Sequence, residues 1–239
     1  MKYQRVLVKL SGEALAGDGQ NGIHDSKALL SCAKAIVDIT KLGTQACVVI
    51  GAGNICRGQL VNANKGIDRV TGDQMGMLGT VINSFALMDT IRSIGGKALV
   101  LSAVKMEQFC ESYDKDLADK YMNEGNVVIF GGGTGKPFFT TDTCATLRAI
   151  ETKCNAILVA KNGVDGIYND DPRINKNATM YKEIKCSDII AQNLKVMDLT
   201  AIEMLLNQDI DVRVFNMART ENFVKVVKGE DVGTTIMKG

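Results

Sequence analysis

The sequence predicts an α/β protein, specifically a three-layer α/β/α sandwich with a mainly parallel central sheet. Strand-like runs of Val, Ile and Leu alternate with helical patterns almost from end to end. Several of these runs are apolar throughout, as expected for parallel strands that helices cover on both faces. The 239 residues contain only two prolines and neither a linker composition nor a repeat, so we expect a single domain over residues 1–239.

The individual elements can be predicted in order along the chain. Strand runs occupy residues 3–10, 45–50, 98–102, 127–131, 156–160, 211–216 and 234–237. Asp25 or Ser26 can cap a first helix ending at residue 42, and helical patterns follow at 73–94, 114–123, 141–153, 198–208 and 221–228. The apolar stripe from Leu78 to Ile91 favours a core position over a subunit interface, although one helix can serve both. Sheets of this kind bind ligands beyond the carboxyl ends of their strands, so functional residues are expected there.

The composition excludes several classes of function. Charges nearly balance, with 28 Lys and Arg against 27 Asp and Glu, so no long-range field attracts nucleic acid or an anionic membrane. No apolar run resembles a membrane span or a signal peptide. The seven cysteines lack a CxxC pair, which suits a reducing cytosol and predicts no zinc or other protein-held metal. The single histidine, His24, lies in a Gly/Asp-rich stretch that we interpret as a solvated loop, which disfavours histidine-based catalysis.

Glycine-rich or cationic loops follow four of the predicted strands. Lys9 ends the first strand, where a lysine snorkelling at a sheet edge is the alternative. The segment GAGNICRG at 51–58 lacks the third glycine of a dinucleotide fingerprint, which leaves an anion nest followed by Arg57. The segment KNGVDGIYNDDP at 161–172 can clasp a nucleotide or form an Asx-rich surface turn. Together with Lys161, these cations predict a polyphosphate site, because phosphoryl transfer needs mainly cations, N–H dipoles and positioning.

The stretch FGGGTGKPFFTTD at 130–142 looks like a phosphate-binding loop but does not fit the P-loop pattern. That pattern needs Gly where Phe130 stands and Ser or Thr where Pro137 stands. Thr140 or Thr141 can cap the helix that follows, with Asp142 in its first turn. Asp142 is then either an ordinary acidic residue favoured by the helix dipole or a carboxylate that orients a lysine in a phosphate site.

Seven segments, in order over nearly the whole chain, resemble the bacterial UMP kinases, a branch of the amino-acid kinase fold family that lacks a P-loop. They are VKLSGEAL at 8–15, GAGNICRG at 51–58, RVTGDQMGMLGTVIN at 69–83, GGTGKPFFTTD at 132–142, KNGVDGIYNDDP at 161–172, LKVMDLTA at 194–201 and RVFNM at 213–217. The resemblance implies transfer of the γ-phosphoryl group of Mg-ATP to UMP, giving UDP and ADP in pyrimidine nucleotide biosynthesis. It also implies a cytoplasmic homohexamer that GTP activates and UTP inhibits.

The same resemblance implies roles for individual residues. Lys9 would neutralise charge on the transferred group, Arg57 would clamp it, and Asp142 would organise the lysine. The residues implied for ATP binding are Lys9, Leu10, Ser11, Gly12, Gly53, Arg57, Asn162, Tyr168 and Asp171. Those implied for UMP binding are Ala52, Asp73, Thr134, Gly135, Lys136, Pro137, Phe138, Phe139, Thr140 and Thr141. Those implied for a GTP effector are Gly17, Asp18, Gly19, Gln20, Asn21 and Gly22.

Some residues depart from the family pattern, and other functions stay open. Ala52, Cys56 and Gly163 are departures that bear on nucleotide affinity, whereas no charged group is lost. A kinase of a carboxylate or carbamate would lack the pairing of Asp73, implied for the UMP ribose hydroxyls, with PFFTTD. A non-catalytic nucleotide-binding storage or regulatory protein would lack the pair of Lys9 and Asp142. A dinucleotide-dependent oxidoreductase would need glycine in place of Cys56.

Overall fold

The computed structural model describes residues 1–20, 22–56 and 66–239. Its strands are β1 (Arg5–Leu10), β2 (Gln45–Ile50), β3 (Ala98–Ser102), β4 (Glu111–Ser112), β5 (Val127–Gly131), β6 (Ala156–Lys161), β7 (Glu183–Lys185), β8 (Asp211–Asn216) and β9 (Thr234–Met237). They form one sheet in the order β4-β3-β5-β2-β1-β6-β8-β9-β7. Every neighbouring pair is parallel except β8 and β9. The predicted mainly parallel α/β architecture is confirmed.

Helices cover both faces of this sheet. They are α1 (Glu13–Ala16), α2 (Ser26–Lys41), α3 (Arg69–Ser93), α4 (Lys115–Asn123), α5 (Thr141–Glu151), α6 (Cys186–Ala191), α7 (Leu199–Leu205) and α8 (Glu221–Lys228). Alternate residues of β1 face opposite layers, because side chains of a strand point to opposite faces in turn. Val6 and Val8 join the core beneath α2, α3 and α8, whereas Leu7 joins the core beneath α4, α5, α6 and α7. Within the described residues, no helix is long and apolar enough to cross a membrane.

The predicted helix caps are present where the sequence indicated them. The Asp25 side chain accepts a hydrogen bond from the backbone N–H of Ala28 at the start of α2. The Thr140 hydroxyl accepts from the N–H groups of Asp142 and Thr143 at the start of α5. Each cap satisfies backbone donors that the first turn of a helix leaves unpaired. Because Thr140 fixes the start of α5, it also fixes the position of Asp142.

The structure differs from the prediction mainly in element ends and in short elements. Helix α3 begins at Arg69 rather than at 73, because Asp68 caps it by accepting from two backbone N–H groups. The first strand begins at Arg5 rather than at 3. The elements β4, β7, α1 and α6 were not predicted, since they span only two to six residues and leave no periodic pattern.

Two interpretations of individual side chains were wrong. The stripe on α3 is not all core: Ile91 is fully buried, but Leu78 is 52% exposed and Ile82 is 47% exposed. Apolar residues occur nearly all round this helix, so periodicity could not identify its buried face. His24 is not a solvated loop residue: it is partly buried, and its Nε2 lies 2.7 Å from Oδ1 of Asn83.

Candidate active site

A cleft of about 490 Å³ opens beyond the carboxyl ends of β1 and β2. Helix α3 forms one wall, and the loop between β5 and α5 contributes to another. The strand order reverses around β1, which has β2 on one side and β6 on the other, and such switch points hold the ligands of parallel sheets. The site residues named from the sequence that line this cleft are Lys9, Ser11, Gly12, Ala52, Gly53, Asp73, Thr134, Lys136, Phe139, Thr140 and Thr141.

The structure brings Lys9 and Asp142 together as an ion pair. Nζ of Lys9 lies 2.8 Å from Oδ1 of Asp142, and the two side chains are only 16% and 20% exposed. The Asp142 oxygen is buried and has no hydrogen-bond partner among the described residues, so this contact is an ion pair without hydrogen-bond geometry. Lys9 lines the large cleft, while Asp142 lines a second cleft of about 310 Å³. The ion pair therefore lies between two clefts.

Two glycine loops approach each other on the floor of the large cleft. A Cβ atom on Gly12 would stand only 2.7 Å from the backbone nitrogen of Gly53, so position 12 requires glycine. Within the part of the chain that the structure describes, no acceptor takes the backbone N–H groups of Gly12, Gly53 and Asn54. Backbone N–H groups without acceptors in neighbouring loops can bind an anion. The arrangement suits phosphate oxygens.

Asp73 holds the loop between β5 and α5 against α3. Its Oδ2 accepts a hydrogen bond of 2.8 Å from the backbone N–H of Phe138. Nε of Arg69 donates to both carboxylate oxygens, at 2.9 and 2.8 Å, and the guanidinium group lies 5.6 Å from the centre of the Phe138 ring. Phe138 has a φ of 73°, an uncommon value for a residue with a side chain. The carboxylate thus stabilises a backbone conformation that the loop would otherwise avoid.

The glycines of the segment at 130–142 allow the backbone to turn. Gly132 and Gly135 have φ values of 76° and 74°, which residues with a Cβ rarely adopt. The N–H of Gly132 donates to the hydroxyl of Thr80 on α3, at 2.9 Å. The loop therefore turns back towards α3 instead of opening a helix at once, as a P-loop does.

Lys161 adds a second ammonium group near the ion pair. Its Nζ donates to the backbone carbonyl of Val196 at 2.9 Å. Burial lowers the pKa of Lys161, the positive charge of Lys9 lowers it further, and Asp142 opposes both effects. Two lysines face one carboxylate here, which leaves an excess positive charge suited to a phosphate group. The sequence indicated this cation, but the resemblance gave it no role.

Asp198 is a further residue to which sequence reasoning gave no role. Its Oδ2 accepts hydrogen bonds from the hydroxyls of Thr140 and Thr143, the latter at 2.9 Å, while its Oδ1 caps α7. It therefore ties the first turn of α5, which carries Asp142, to α7. The sequence feature that could have indicated its importance is its position in LKVMDLTA, one of the seven segments that resemble the bacterial UMP kinases.

Several predicted site residues do not line the large cleft. Asp171 pairs with Arg173 at 2.9 Å, and Tyr168 forms an isolated bridge with Met180. Arg57 and Asn21 lie outside the described residues. The other predicted site residues that do not line the large cleft are Asp142, which lines the second cleft, Leu10, Gly135, Pro137, Phe138, Asn162 and the described part of the GTP segment, Gly17, Asp18, Gly19, Gln20 and Gly22.

The side chains at the cleft disfavour catalysis by a cysteine nucleophile. Cys144 lines the cleft, but burial raises the pKa of its thiol to about 11, so it is not a thiolate at neutral pH. Over residues 1–20, 22–56 and 66–239, no group of three or more His, Cys, Asp or Glu side chains could hold a metal ion. The site instead offers lysines and backbone N–H groups.

A parallel sheet with an anion site at its switch point defines a broad class of nucleotide- and phosphate-binding proteins, and comparison with known proteins narrows it. The family model described as the amino acid kinase family matches residues 4–216, from β1 to the end of β8. The chain belongs to this family.

Solved structures refine this placement. The UMP kinase from Bacillus anthracis is 41% identical, with a TM-score of 0.95, over 99% of this chain and 97% of that one. The UMP kinase from Ureaplasma parvum is 36% identical, with a TM-score of 0.92 and full coverage of both chains. The uridylate kinase from Archaeoglobus fulgidus is 28% identical, with a TM-score of 0.73, over 99% and 100% of the two chains. The resemblance to UMP kinases noted from the sequence is confirmed.

Proposed function

We propose that this protein transfers the γ-phosphoryl group of ATP to UMP, giving ADP and UDP. The observation that carries the proposal is the Lys9–Asp142 ion pair beside the glycine loops of Gly12 and Gly53. The likeness to solved UMP kinases supports the identity of the acceptor. Phosphoryl transfer depends mostly on positioning and charge stabilisation, and this site offers both.

The proposed chemistry assigns separate tasks to the residues of the cleft. The ammonium group of Lys9 stabilises negative charge that develops on the transferred group, and Asp142 holds that ammonium group in place. The N–H groups of Gly12 and Gly53 contact phosphate oxygens of ATP. A phosphate oxygen of UMP is already deprotonated at neutral pH, so the reaction needs no general base. Arg57, from its sequence position, remains the proposed clamp near the point of transfer.

The UMP site is proposed to lie between α3 and the loop that precedes α5. Asp73 Oδ1 accepts from Arg69 and has lone-pair capacity left for a ribose hydroxyl. The other residues proposed to contact UMP are Ala52, Thr134, Gly135, Lys136, Pro137, Phe138, Phe139, Thr140 and Thr141. The residues proposed for the remaining ATP contacts are Leu10, Ser11, Asn162, Tyr168 and Asp171.

Mg²⁺ is proposed to enter with ATP and to neutralise charge on its phosphates. The donor set fits this mode, because Mg²⁺ in kinases is held mainly by substrate phosphates with one or two carboxylates. Asp142 is the carboxylate beside the lysines, but its Oδ1 is paired with Lys9, so the phosphates of ATP would supply most of the metal ligands. A site with three or more acidic ligands is not needed for such a metal.

Two alternative functions are weaker. A nucleotide-binding storage or regulatory protein of this fold would not need the Lys9–Asp142 pair, which is formed here. A kinase of a carboxylate or carbamate would not need Asp73 linked to the loop that carries PFFTTD, and that link is present as well.

The quaternary state and regulation are part of the proposal. We propose a cytoplasmic homohexamer in pyrimidine nucleotide biosynthesis, activated by GTP through residues 17–22 and inhibited by UTP. Exposed apolar side chains on α3, Met75, Leu78 and Ile82, support contact with a second copy of the chain. Sedimentation should give a smaller assembly for Ile82→Glu than for the unmodified protein. Equal masses would contradict an interface at this face.

A coupled ADP-release assay tests the activity. We expect turnover with Mg-ATP and UMP, and little with CMP, glutamate or carbamate, both with and without GTP. Turnover on a carboxylate and none on UMP would overturn the proposal. ATP binding without turnover on any acceptor would favour the storage or regulatory protein.

A further inference from the structure

The only histidine of the chain is part of a hydrogen-bond network behind the cleft. His24 precedes α2, and its Nε2 lies 2.7 Å from Oδ1 of Asn83. Asn83 lies on α3, is fully buried, and does not line the cleft. A buried amide needs partners for both its donor and its acceptor, and the surroundings of Asn83 supply them.

Asn83 joins three segments that are distant in sequence. Its Nδ2 donates to the carbonyl of Gly51 at 2.8 Å and to Oδ1 of Asn54 at 2.8 Å. Nδ2 of Asn54 donates back to Oδ1 of Asn83 at 3.1 Å, and also to the carbonyl of Ile23 at 2.6 Å. The two asparagines thus form a closed amide pair that connects α3, the loop after β2 and the segment before α2.

These contacts hold the loop that presents the anion-binding N–H groups. Gly53 and Asn54 have backbone N–H groups without acceptors among the described residues. They lie in a turn outside any helix or strand, where the backbone hydrogen bonds of Ile55 and Cys56 to Ala52 add to the side-chain contacts that hold its shape. Since Nδ2 of Asn83 donates to Gly51, its Oδ1 must be the acceptor that faces His24. His24 therefore donates from Nε2, and this donation opposes a flip of the Asn83 amide.

We propose that Asn83 and His24 are positioning residues for phosphoryl transfer. Asn83 fixes the loop from Gly51 to Asn54 in the shape that receives ATP phosphates, and His24 fixes the orientation of Asn83. The kinetic test of this inference rests on the proposed kinase activity, whereas a second test, by hydrogen exchange, depends on the geometry alone. Loss of the histidine donor leaves a buried acceptor with a weaker set of partners and allows the loop to sample other shapes.

The test compares two substitutions of the histidine. His24→Phe keeps a planar ring without a donor, whereas His24→Gln keeps an N–H donor at a similar reach. We expect His24→Phe to lower kcat/KM for ATP about tenfold, the upper range for one lost hydrogen bond, and His24→Gln to stay within about twofold of the unmodified protein. Lys27→Ala, an exposed change on the first turn of α2, serves as the control with unchanged kinetics.

A second readout does not depend on activity. Hydrogen exchange of a peptide covering residues 48–56 should be faster in His24→Phe than in His24→Gln or Lys27→Ala, because the amides of Gly51, Ile55 and Cys56 donate within this turn and its neighbour β1. A purely structural histidine would lower the denaturation midpoint and leave both readouts unchanged. Unchanged kinetics and unchanged hydrogen exchange in His24→Phe would overturn the inference. Equal losses of kcat/KM in His24→Phe and His24→Gln would overturn it as well. Absence of UMP-dependent ADP formation in the unmodified protein would instead overturn the proposed function, and exchange would still decide this inference.

Discussion

Helix α3 contains two glycines, Gly76 and Gly79, whose replacement by alanine should have different effects on stability. A Cβ atom on Gly79 would stand 2.9 Å from the Cβ of Ala52, whereas a Cβ on Gly76 would meet nothing within 4 Å. Alanine is favoured over glycine in a helix by about 1 kcal/mol. Overpacking of a buried site costs about 1–3 kcal/mol. We therefore expect Gly76→Ala to raise the free energy of unfolding by about 1 kcal/mol, and Gly79→Ala to leave it unchanged or lower it by up to about 2 kcal/mol.

The steric cause can be isolated with the partner residue. Ala52→Gly removes the methyl group that Gly79→Ala would meet, so the double variant should recover about 1–3 kcal/mol relative to the sum of the single changes. Urea denaturation at one protein concentration gives the free energies of unfolding of the unmodified protein, the two single variants and the double variant. The comparison requires that the dependence of the free energy on urea concentration is the same for all four. Equal stabilisation by Gly76→Ala and Gly79→Ala would refute the reasoning, as would a coupling energy below about 0.5 kcal/mol. Recovery of stability in the double variant would show that the side chains at positions 52 and 79 are sterically complementary.

Three further changes test the site. Lys9→Ala should lower kcat about 100-fold or more with little change in KM for UMP, because its charge acts mainly in the transition state, and the reverse pattern would contradict its role. Asp73→Asn should raise KM for UMP more than KM for ATP in steady-state assays, whereas equal increases would make it a structural residue. Burial lowers the pKa of Lys161, so its charge costs stability below the folded-state pKa, and this cost disappears as pH rises towards 10.5. Lys161→Met should therefore raise the free energy of unfolding at pH 7 while reducing kcat, and its advantage should shrink at alkaline pH. A pH-independent advantage in denaturation would show that burial of the charge is not the cause.

Much of the site could be predicted from the sequence because its parts lie at strand ends. Lys9 ends β1 and Asp142 begins α5, and both positions follow from short-range patterns of apolar runs and capping residues. Their meeting at 2.8 Å follows from sheet order, since β1 and the strand before α5 are separated only by β2. The resemblance to UMP kinases anticipated this pair, whereas spacing alone did not.

Other parts of the site could not be predicted because their partners are distant in sequence. Asn83 lies about 30 residues from Gly51 and about 60 from His24, and nothing local marks a buried amide on an apolar helix. The exposed Leu78 and buried Ile91 share one helix pattern, so only neighbouring elements decide which is covered. Lys161 was visible as a cation, but its hydrogen bond to the carbonyl of Val196, 35 residues away, was not.

The sequence by itself determined the architecture and the composition of the binding loops. Apolar runs specify buried parallel strands, and caps specify helix starts, because both depend on neighbours only a few residues away. The tertiary structure decided which loops approach each other, which face of α3 is buried, and how Asn83 connects His24 to Gly51. These outcomes depend on packing between elements, where contacts of a few ångströms join residues that no local pattern links.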